Sequence, residues 1–173
     1  MEAALVLETS GHKDRGGSSP SICTMKYIIG NLLDITSGIV CHQVNTIGVM
    51  GGLASQIKNK WPKQAEMYIA CCKHNNFLLG EFLDTQITQN LSLVHIAGQN
   101  FPGANTNLLA VRNALSSLCL YITNPKEMHF PYMMGCGMGG ANWNEYSKII
   151  EAFFPKAIIV ARQEDIEKYG DPR

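Results

Sequence analysis

Two glycine clusters are the part of the sequence best suited to holding an anionic ligand. They read GVMGG at residues 48–52 and GCGMGG at residues 135–140, and each follows an apolar run and precedes a helical pattern. Glycines let backbone N–H groups approach an anion and adopt positive φ, while a helix N-terminus adds its dipole. A single cluster is explained as well by a tight turn. Two clusters in equivalent positions favour an anion-binding crevice.

The second cluster also fits the G-x-G-x-x-G pattern of dinucleotide-binding folds, through Gly135, Gly137 and Gly140. That pattern belongs on the first strand of a βαβαβ unit, with an acidic residue about 20 positions further on. Here only one helix and one strand follow it, and the chain has no P-loop sequence. Phosphates are therefore expected to be held mainly by backbone amides.

Asn45 and His42 are the polar residues next to the first cluster. The Asn45 amide offers a donor and acceptors to ribose hydroxyls without repelling a phosphate, although asparagine also favours turns at strand ends. His42 lies three residues earlier, so a regular strand puts the two side chains on opposite faces of the sheet. His42 is then either a catalytic assistant or a core histidine, and a bulge near Gln43 would favour the first role. His95, in an apolar run, is expected to be structural.

The six cysteines do not predict a metal site. None forms a C-x-x-C pair, and Cys71, Cys72 and His74 are a possible ligand cluster without a second half-site. Most cysteines lie in apolar runs, which is typical of a reducing compartment such as the cytoplasm. Cys136 in the second cluster is either a nucleophile with a lowered pKa or a small packing residue, and we favour packing.

Strand and helix patterns alternate from residue 26 onward. Strands are predicted at residues 26–34, 38–45, 81–87, 91–99, 126–135 and 157–162. Helices are predicted at residues 52–61, 62–74, 107–121 and 143–154, with Thr106 as a possible cap of the third. This order predicts an α/β layered domain with a mostly parallel sheet, whose ligands bind at the carboxyl ends of the strands.

Length and charge limit the possible partners. A chain of 173 residues has room for one domain, predicted at 25–173, after a leader or linker at 1–24. A membrane span needs about 20 consecutive apolar residues, and the sequence contains no such run. The 14 Lys and Arg residues balance the 14 Asp and Glu residues. This neutrality argues against binding of extended nucleic acid.

The segment CHQVNTIGVMGGLASQIKNKWP, together with GNLLD before it and MMGCGMGGANW near the end, resembles the macro domain family of ADP-ribose-binding modules. The resemblance runs from about Lys26 to Arg162 and is greatest to small bacterial and phage proteins that process ADP-ribose 1''-phosphate. It implies a three-layer α/β/α fold with a mixed, mostly parallel sheet and ADP-ribose across the strand ends. Residues 30–32 would lie by the adenine, and Asn45 by the distal ribose. The full set of implied ligand contacts is Gly30, Asn31, Leu32, Gln43, Asn45, Gly48, Met50, Gly51, Gly52, Leu53, Ala54, Gln99, Met134, Gly135, Cys136, Gly137, Met138, Gly139 and Gly140.

The chain departs from the enzymes of this family that reverse ADP-ribosylation of glutamate or of DNA bases. Their lysine after the fourth strand is absent, with Gln99 near its place, and Asn142 stands where some carry an aspartate. The resemblance implies hydrolysis of a 1''-linked substituent, first of all phosphate from ADP-ribose 1''-phosphate, with His42 and Asn45 as catalytic residues. The alternatives are a non-catalytic ADP-ribose reader and a hydrolase of ester-linked ADP-ribose. No cofactor is expected, and the protein is expected to be a monomer.

Overall fold

Six strands and five α-helices make up the part of the chain that the computed structural model describes, residues 24–124 and 126–172. A short 3-10 turn, Leu32–Asp34, follows the first strand. The strands are β1 Lys26–Ile29, β2 Gly38–Asn45, β3 Phe82–Thr88, β4 Leu91–Gln99, β5 Met128–Pro131 and β6 Ile158–Ala161. The helices are α1 Leu53–Lys60, α2 Pro62–Lys73, α3 Leu108–Tyr121, α4 Trp143–Phe153 and α5 Gln163–Tyr169.

The strands form one mixed sheet in the order β1-β6-β5-β2-β4-β3. All neighbouring strands run parallel except β3, which pairs antiparallel with β4 at one edge. β2 and β4 lie side by side, and nearly all of their residues are buried. This is expected of strands covered by helices on both faces. The carboxyl ends of β2, β4, β5 and β6 therefore meet along one edge.

Helices cover both faces of the sheet, so the molecule has three layers. Side chains from α3 and α4 pack with Ile39 and Cys41 of β2 in the larger apolar cluster. Val40 and Val44 of the same strand point to the other face, where they pack against α1 and α2. The predicted α/β/α fold with a mostly parallel sheet is confirmed.

Three element predictions are corrected by the structure. β1 stops at Ile29, because Asn31 accepts a hydrogen bond from the Leu33 amide at 3.0 Å and starts the 3-10 turn. β5 stops at Pro131, and a turn follows in place of the strand predicted to residue 135. Asn107 caps α3, with Oδ1 3.0 Å from the Ala110 amide, so Thr106 is not the cap.

Helix α5 was not predicted from the sequence. The predicted leader, apart from Thr24, lies outside the described residues. None of the helices in the described ranges is long and apolar enough to cross a membrane. Within the same ranges, no group of three His, Cys, Asp or Glu side chains is placed to hold a metal ion.

Candidate functional site

A crevice of about 300 Å³ opens at the carboxyl ends of the central strands. The loop after β2 forms one wall and the loop after β5 forms the other, and these loops contain the two glycine clusters. The strand ends of β2, β4, β5 and β6 form the floor. Both glycine clusters therefore line a single cavity, as expected for an anion-binding crevice in a sheet of this kind.

Asn45 holds the first glycine loop in shape. Its Oδ1 accepts hydrogen bonds from the Ile47 and Val49 amides, both at 3.1 Å. Its Nδ2 donates to the Val49 carbonyl at 2.7 Å. Helix α1 follows from Gly52, which has a φ of +54° and provides no side-chain cap. The first-turn amides of α1 thus lack a side-chain acceptor, which suits an anionic ligand at this helix end.

Asn45 and His42 belong to the same side-chain network, which a regular strand would not allow. The pairing of β2 with β4 shifts between Val44 and Asn45. Tyr68 of α2 donates to the Asn45 carbonyl at 2.8 Å, and its ring stacks on His95 at 5.1 Å. His95 Nδ1 in turn lies 2.7 Å from His42 Nε2. The expectation of opposite faces is therefore wrong: Asn45 Oδ1 lies 3.2 Å from the Tyr68 hydroxyl, on the α2 face, at the register shift where β4 carries the extra residue Gly98.

His42 lies at the crevice, but its surroundings disfavour a charged imidazole. Its side chain is buried, and burial, with a smaller contribution from neighbouring His95, holds the pKa of His42 well below its usual value. Burial lowers the pKa of His95 to about 3. Both rings are therefore neutral at pH 7, with one donating to the other. A neutral, weakly basic imidazole positions its neighbours better than it removes a proton.

The second glycine loop is fixed by the side chain of Gln43. Gln43 Nε2 donates to Gln99 Oε1 and to Thr106 Oγ1, both at 2.8 Å. Gln43 Oε1 accepts from the buried Tyr146 hydroxyl at 2.9 Å. A β-carbon at Gly135 would lie 2.5 Å from Gln43 Oε1, so the amide occupies space that only glycine leaves. Gln43 thus ties β2, β4 and α4 to the loop.

Met138 brings the two glycine loops together across the crevice. β-carbons at Gly51 and Gly52 would each lie 3.9 Å from the end of the Met138 side chain. The side chain is nonetheless mostly exposed. The flexible Met138 thioether therefore reaches from the second glycine loop towards the first.

Cys136 is not set up as a nucleophile. Its thiol is partly buried and donates to the Met134 carbonyl at 3.2 Å. Burial raises the pKa of Cys136 to about 12, so the thiolate is rare at neutral pH. The packing role predicted from the sequence fits this environment.

The opposite end of the crevice is built from β1, β6 and α5. Asn31 lies there with Arg162, Asp165 and Tyr169. Arg162 Nε and Nη2 donate to the Asp165 carboxylate at 2.8 and 3.0 Å, and Arg162 also pairs with Glu164. The acidic residues after Arg162 are a helix-start signal that the sequence did contain.

Apart from this ion pair, the lining of the crevice contains no ionic side chain within residues 24–124 and 126–172. Most of its walls and floor come from three stretches of the chain, residues 35–57, 85–111 and 128–144. These stretches contain no Asp, Glu, Lys or Arg. Of the described residues that line the crevice, only Arg162 and Asp165 are charged, and they neutralise each other. An anion would therefore be held by amides rather than by a cationic field.

The structure brings most of the predicted site residues to the crevice. Those that line it are Asn31, Leu32, His42, Gln43, Asn45, Gly51, Gly52, Leu53, Ala54, Gln99, Met134, Gly135, Gly137, Met138 and Gly139. Gly30, Gly48, Met50, Cys136 and Gly140 are beside these residues in the chain but not in the lining. Gly48 packs against α2, and Met50 packs into the apolar clusters. Val49 of the first glycine cluster also lines the crevice. The lining residues that the sequence did not single out are Pro102, Gly103, Pro131, Tyr132, Met133, Val160, Arg162, Asp165 and Tyr169.

Comparison with known proteins places this fold among macrodomains. The macrodomain of Thermus aquaticus DarG superposes with a TM-score of 0.69 at 21% identity, covering 81% of this chain and 98% of that one. Thermosipho africanus DarTG in complex with ADP-ribose gives a TM-score of 0.63 at 16% identity, over 81% of this chain and 42% of that one. The chain therefore has the macrodomain fold.

A curated relative adds similarity at the level of sequence. The Mycobacterium tuberculosis protein named DNA ADP-ribosyl glycohydrolase is 28% identical over 138 residues, which are 73% of this chain. The match spans only 38% of that relative's length. No protein-family model matches the chain.

Proposed function

We propose that the crevice binds ADP-ribose, with the adenosine at the β1 and β6 end and the distal ribose at the β2 and β4 end. The observation that carries this proposal is the pair of glycine loops facing each other across one crevice. Their amides and the start of α1 suit a diphosphate. The bound ADP-ribose of the Thermosipho africanus DarTG structure, which shares the fold, supports the same ligand. A monomer in the cytoplasm is part of the proposal.

Titration of the protein with free ADP-ribose tests the proposal. We expect a saturable heat with a Kd in the micromolar range, roughly 8 kcal/mol of binding free energy. Because Arg162, the cation among the described lining residues, is paired with Asp165, Kd should change little between low and physiological salt. AMP and ribose 5-phosphate serve as part-ligands and should bind more weakly. Absence of heat with millimolar ADP-ribose would remove the proposal.

Hydrolysis of a group joined to C1'' is the second candidate function. The bond from C1'' to the substituent would break, the oxygen of water would join C1'', and a proton of the water would go to the leaving group. The similarity to a protein named DNA ADP-ribosyl glycohydrolase supports this candidate. With His42 and His95 neutral, the loops would orient the water rather than deprotonate it.

Three substituents follow from the sequence and the comparisons: phosphate, an ester-linked acyl group and a nucleobase. A 1''-phosphate adds up to two negative charges where the wall residues provide no cation, which favours an uncharged leaving group. The missing lysine and the neutral histidines equally fit a reader that binds ADP-ribose without turnover. Release of free ADP-ribose from the derivative, rather than binding affinity, distinguishes the hydrolase from the reader.

Incubation with three ADP-ribose derivatives tests turnover. The derivatives are ADP-ribose 1''-phosphate, an ADP-ribosylated glutamyl peptide and an ADP-ribosylated oligonucleotide. Chromatography measures the free ADP-ribose released from each of them. We expect release from the oligonucleotide to be fastest, since its leaving group is an uncharged base. Equal release from all three derivatives would mean that the protein does not discriminate between the leaving groups. Binding without any release would assign the reader function.

A further inference from the structure

Three large apolar side chains lie exposed at the end of the crevice formed by β2 and β4. Ile47 and Val49 are each 48% exposed, and Phe101 is 61% exposed. Ile47 and Val49 belong to the first glycine loop, whereas Phe101 lies in the loop after β4. Thr46 Oγ1 donates to the Asn100 carbonyl at 3.2 Å and joins these two loops. We call Ile47, Val49 and Phe101 the apolar rim.

The backbone that carries Phe101 is held in place from two sides. Its carbonyl accepts hydrogen bonds from Gln99 Nε2 at 2.6 Å and from Asn105 Nδ2 at 2.9 Å. Gln99 is itself bound by Gln43, the residue that fixes the second glycine loop. An exposed aromatic ring on a preorganised backbone loses little conformational entropy when a ligand covers it.

The lack of ionic side chains in the two loops limits the kind of group that the apolar rim can bind. Both loops lie in the charge-free stretches 35–57 and 85–111. A phosphate or an acidic peptide at this place would lose water without gaining a cation from either loop. An uncharged aromatic group would instead stack on the ring and bury apolar surface. The rim is continuous with the crevice, because Val49 and Pro102 belong to its lining.

We propose that the apolar rim receives an uncharged nucleobase joined to C1'' of the bound ADP-ribose, with Phe101 as the stacking surface. This inference rests on the proposed binding of ADP-ribose, because the crevice must place C1'' at the β2 and β4 end. It further implies that the phosphates of a nucleic acid around that base add little to binding.

Truncation of the ring tests the inference. Phe101→Ala should raise the Kd, or KM where turnover occurs, for an ADP-ribosylated deoxynucleoside by about tenfold, the effect of losing one stacked base. The Kd values for free ADP-ribose and ADP-ribose 1''-phosphate should stay within about twofold. Leu120→Ala is the matched control, since Leu120 is 83% exposed at the far end of α3. It should change none of these values.

Four outcomes would overturn the inference. The first is an unchanged affinity of F101A for the deoxynucleoside derivative. The second is an equal loss for free ADP-ribose, which would make Phe101 part of the ADP-ribose site itself. The third is an equal loss for an ADP-ribosylated peptide, which would assign the rim to proteins. The fourth is a much tighter, salt-sensitive binding of an ADP-ribosylated oligonucleotide than of the deoxynucleoside.

The wild-type protein separates this inference from the proposed function. If free ADP-ribose fails to bind the wild type, the proposed function is wrong. If free ADP-ribose binds and the deoxynucleoside derivative binds no more tightly, the inference alone is wrong. Ile47→Ala provides a second variant, for which we expect a smaller loss confined to the deoxynucleoside derivative.

Discussion

Replacement of Gly139 by alanine is expected to weaken ADP-ribose binding about 100-fold. A β-carbon at this position would overlap the Gly135 carbonyl oxygen and Thr106 Oγ1. The Gly135 carbonyl is backbone and already accepts from Thr106 Oγ1 at 2.9 Å. The loop must therefore shift and move its amides away from the place where the phosphates of ADP-ribose are proposed to bind. Loss of about two hydrogen bonds to a charged group costs roughly 3 kcal/mol, which corresponds to about 100-fold in Kd.

The same loop offers the matched variant for this substitution. A β-carbon at Gly137 would meet nothing closer than the Tyr169 hydroxyl at 3.6 Å, an ordinary contact. Gly139→Ala should lower the free energy of unfolding by about 1 to 3 kcal/mol, whereas Gly137→Ala should change it by less than about 0.5 kcal/mol. Titration calorimetry and urea unfolding measure the two effects. Undiminished ADP-ribose binding by a folded G139A protein would remove the second glycine loop from the phosphate site.

Local sequence patterns were sufficient to predict the sheet and the two walls of the crevice. Apolar runs bounded by Gly, Asn and Asp predicted β2 and β4 at their observed residues. The glycine clusters stand out because few other residues tolerate the backbone of Gly52 and Gly135, whose φ angles are +54° and +69°. These strands and turns depend on residues that are adjacent in the chain, so a single sequence is enough to predict them.

The interactions that shape the crevice floor could not be predicted in the same way. The bulge between Val44 and Asn45 depends on the pairing of β2 with β4, about 50 residues further along the chain. Gln43 likewise meets Tyr146, 103 residues away. The regular alternation of a strand therefore gave the wrong face for Asn45 relative to His42. Only the folded sheet shows that Gln43 supports the second loop from below.

The part of the crevice formed by α5 was missed for a related reason. Helix α5 has seven residues and buries none of them fully, so it lacks the apolar stripe that predicts a helix. Its place in the crevice depends on Ile166 packing against the large cluster and on the Arg162 to Asp165 ion pair. The resemblance to the macro domain family ended at Arg162, directly before helix α5.

Acidification to pH 4.5 is expected to lower the free energy of unfolding by roughly 3 kcal/mol through His95 alone. Burial lowers the pKa of His95 to about 3, whereas the unfolded chain has the ordinary value near 6.5. Between these values the unfolded state binds a proton that the folded state excludes. The stabilisation is thus complete above about pH 6.5 and falls by about 1.4 kcal/mol for each pH unit below it.

The buried pair with His42 makes the effect larger and provides its test. Burial also lowers the pKa of His42, so its contribution has the same sign. In His95→Asn, the amide takes the place of Nδ1 opposite His42 but does not titrate. We expect this variant to be less stable at pH 7, because it loses the stacking on Tyr68, and to lose stability less steeply on acidification. Urea unfolding at several pH values between 7 and 4.5 measures both slopes. If the two slopes are equal, the acid sensitivity comes from other groups, and His95 is not the neutral histidine inferred from its burial.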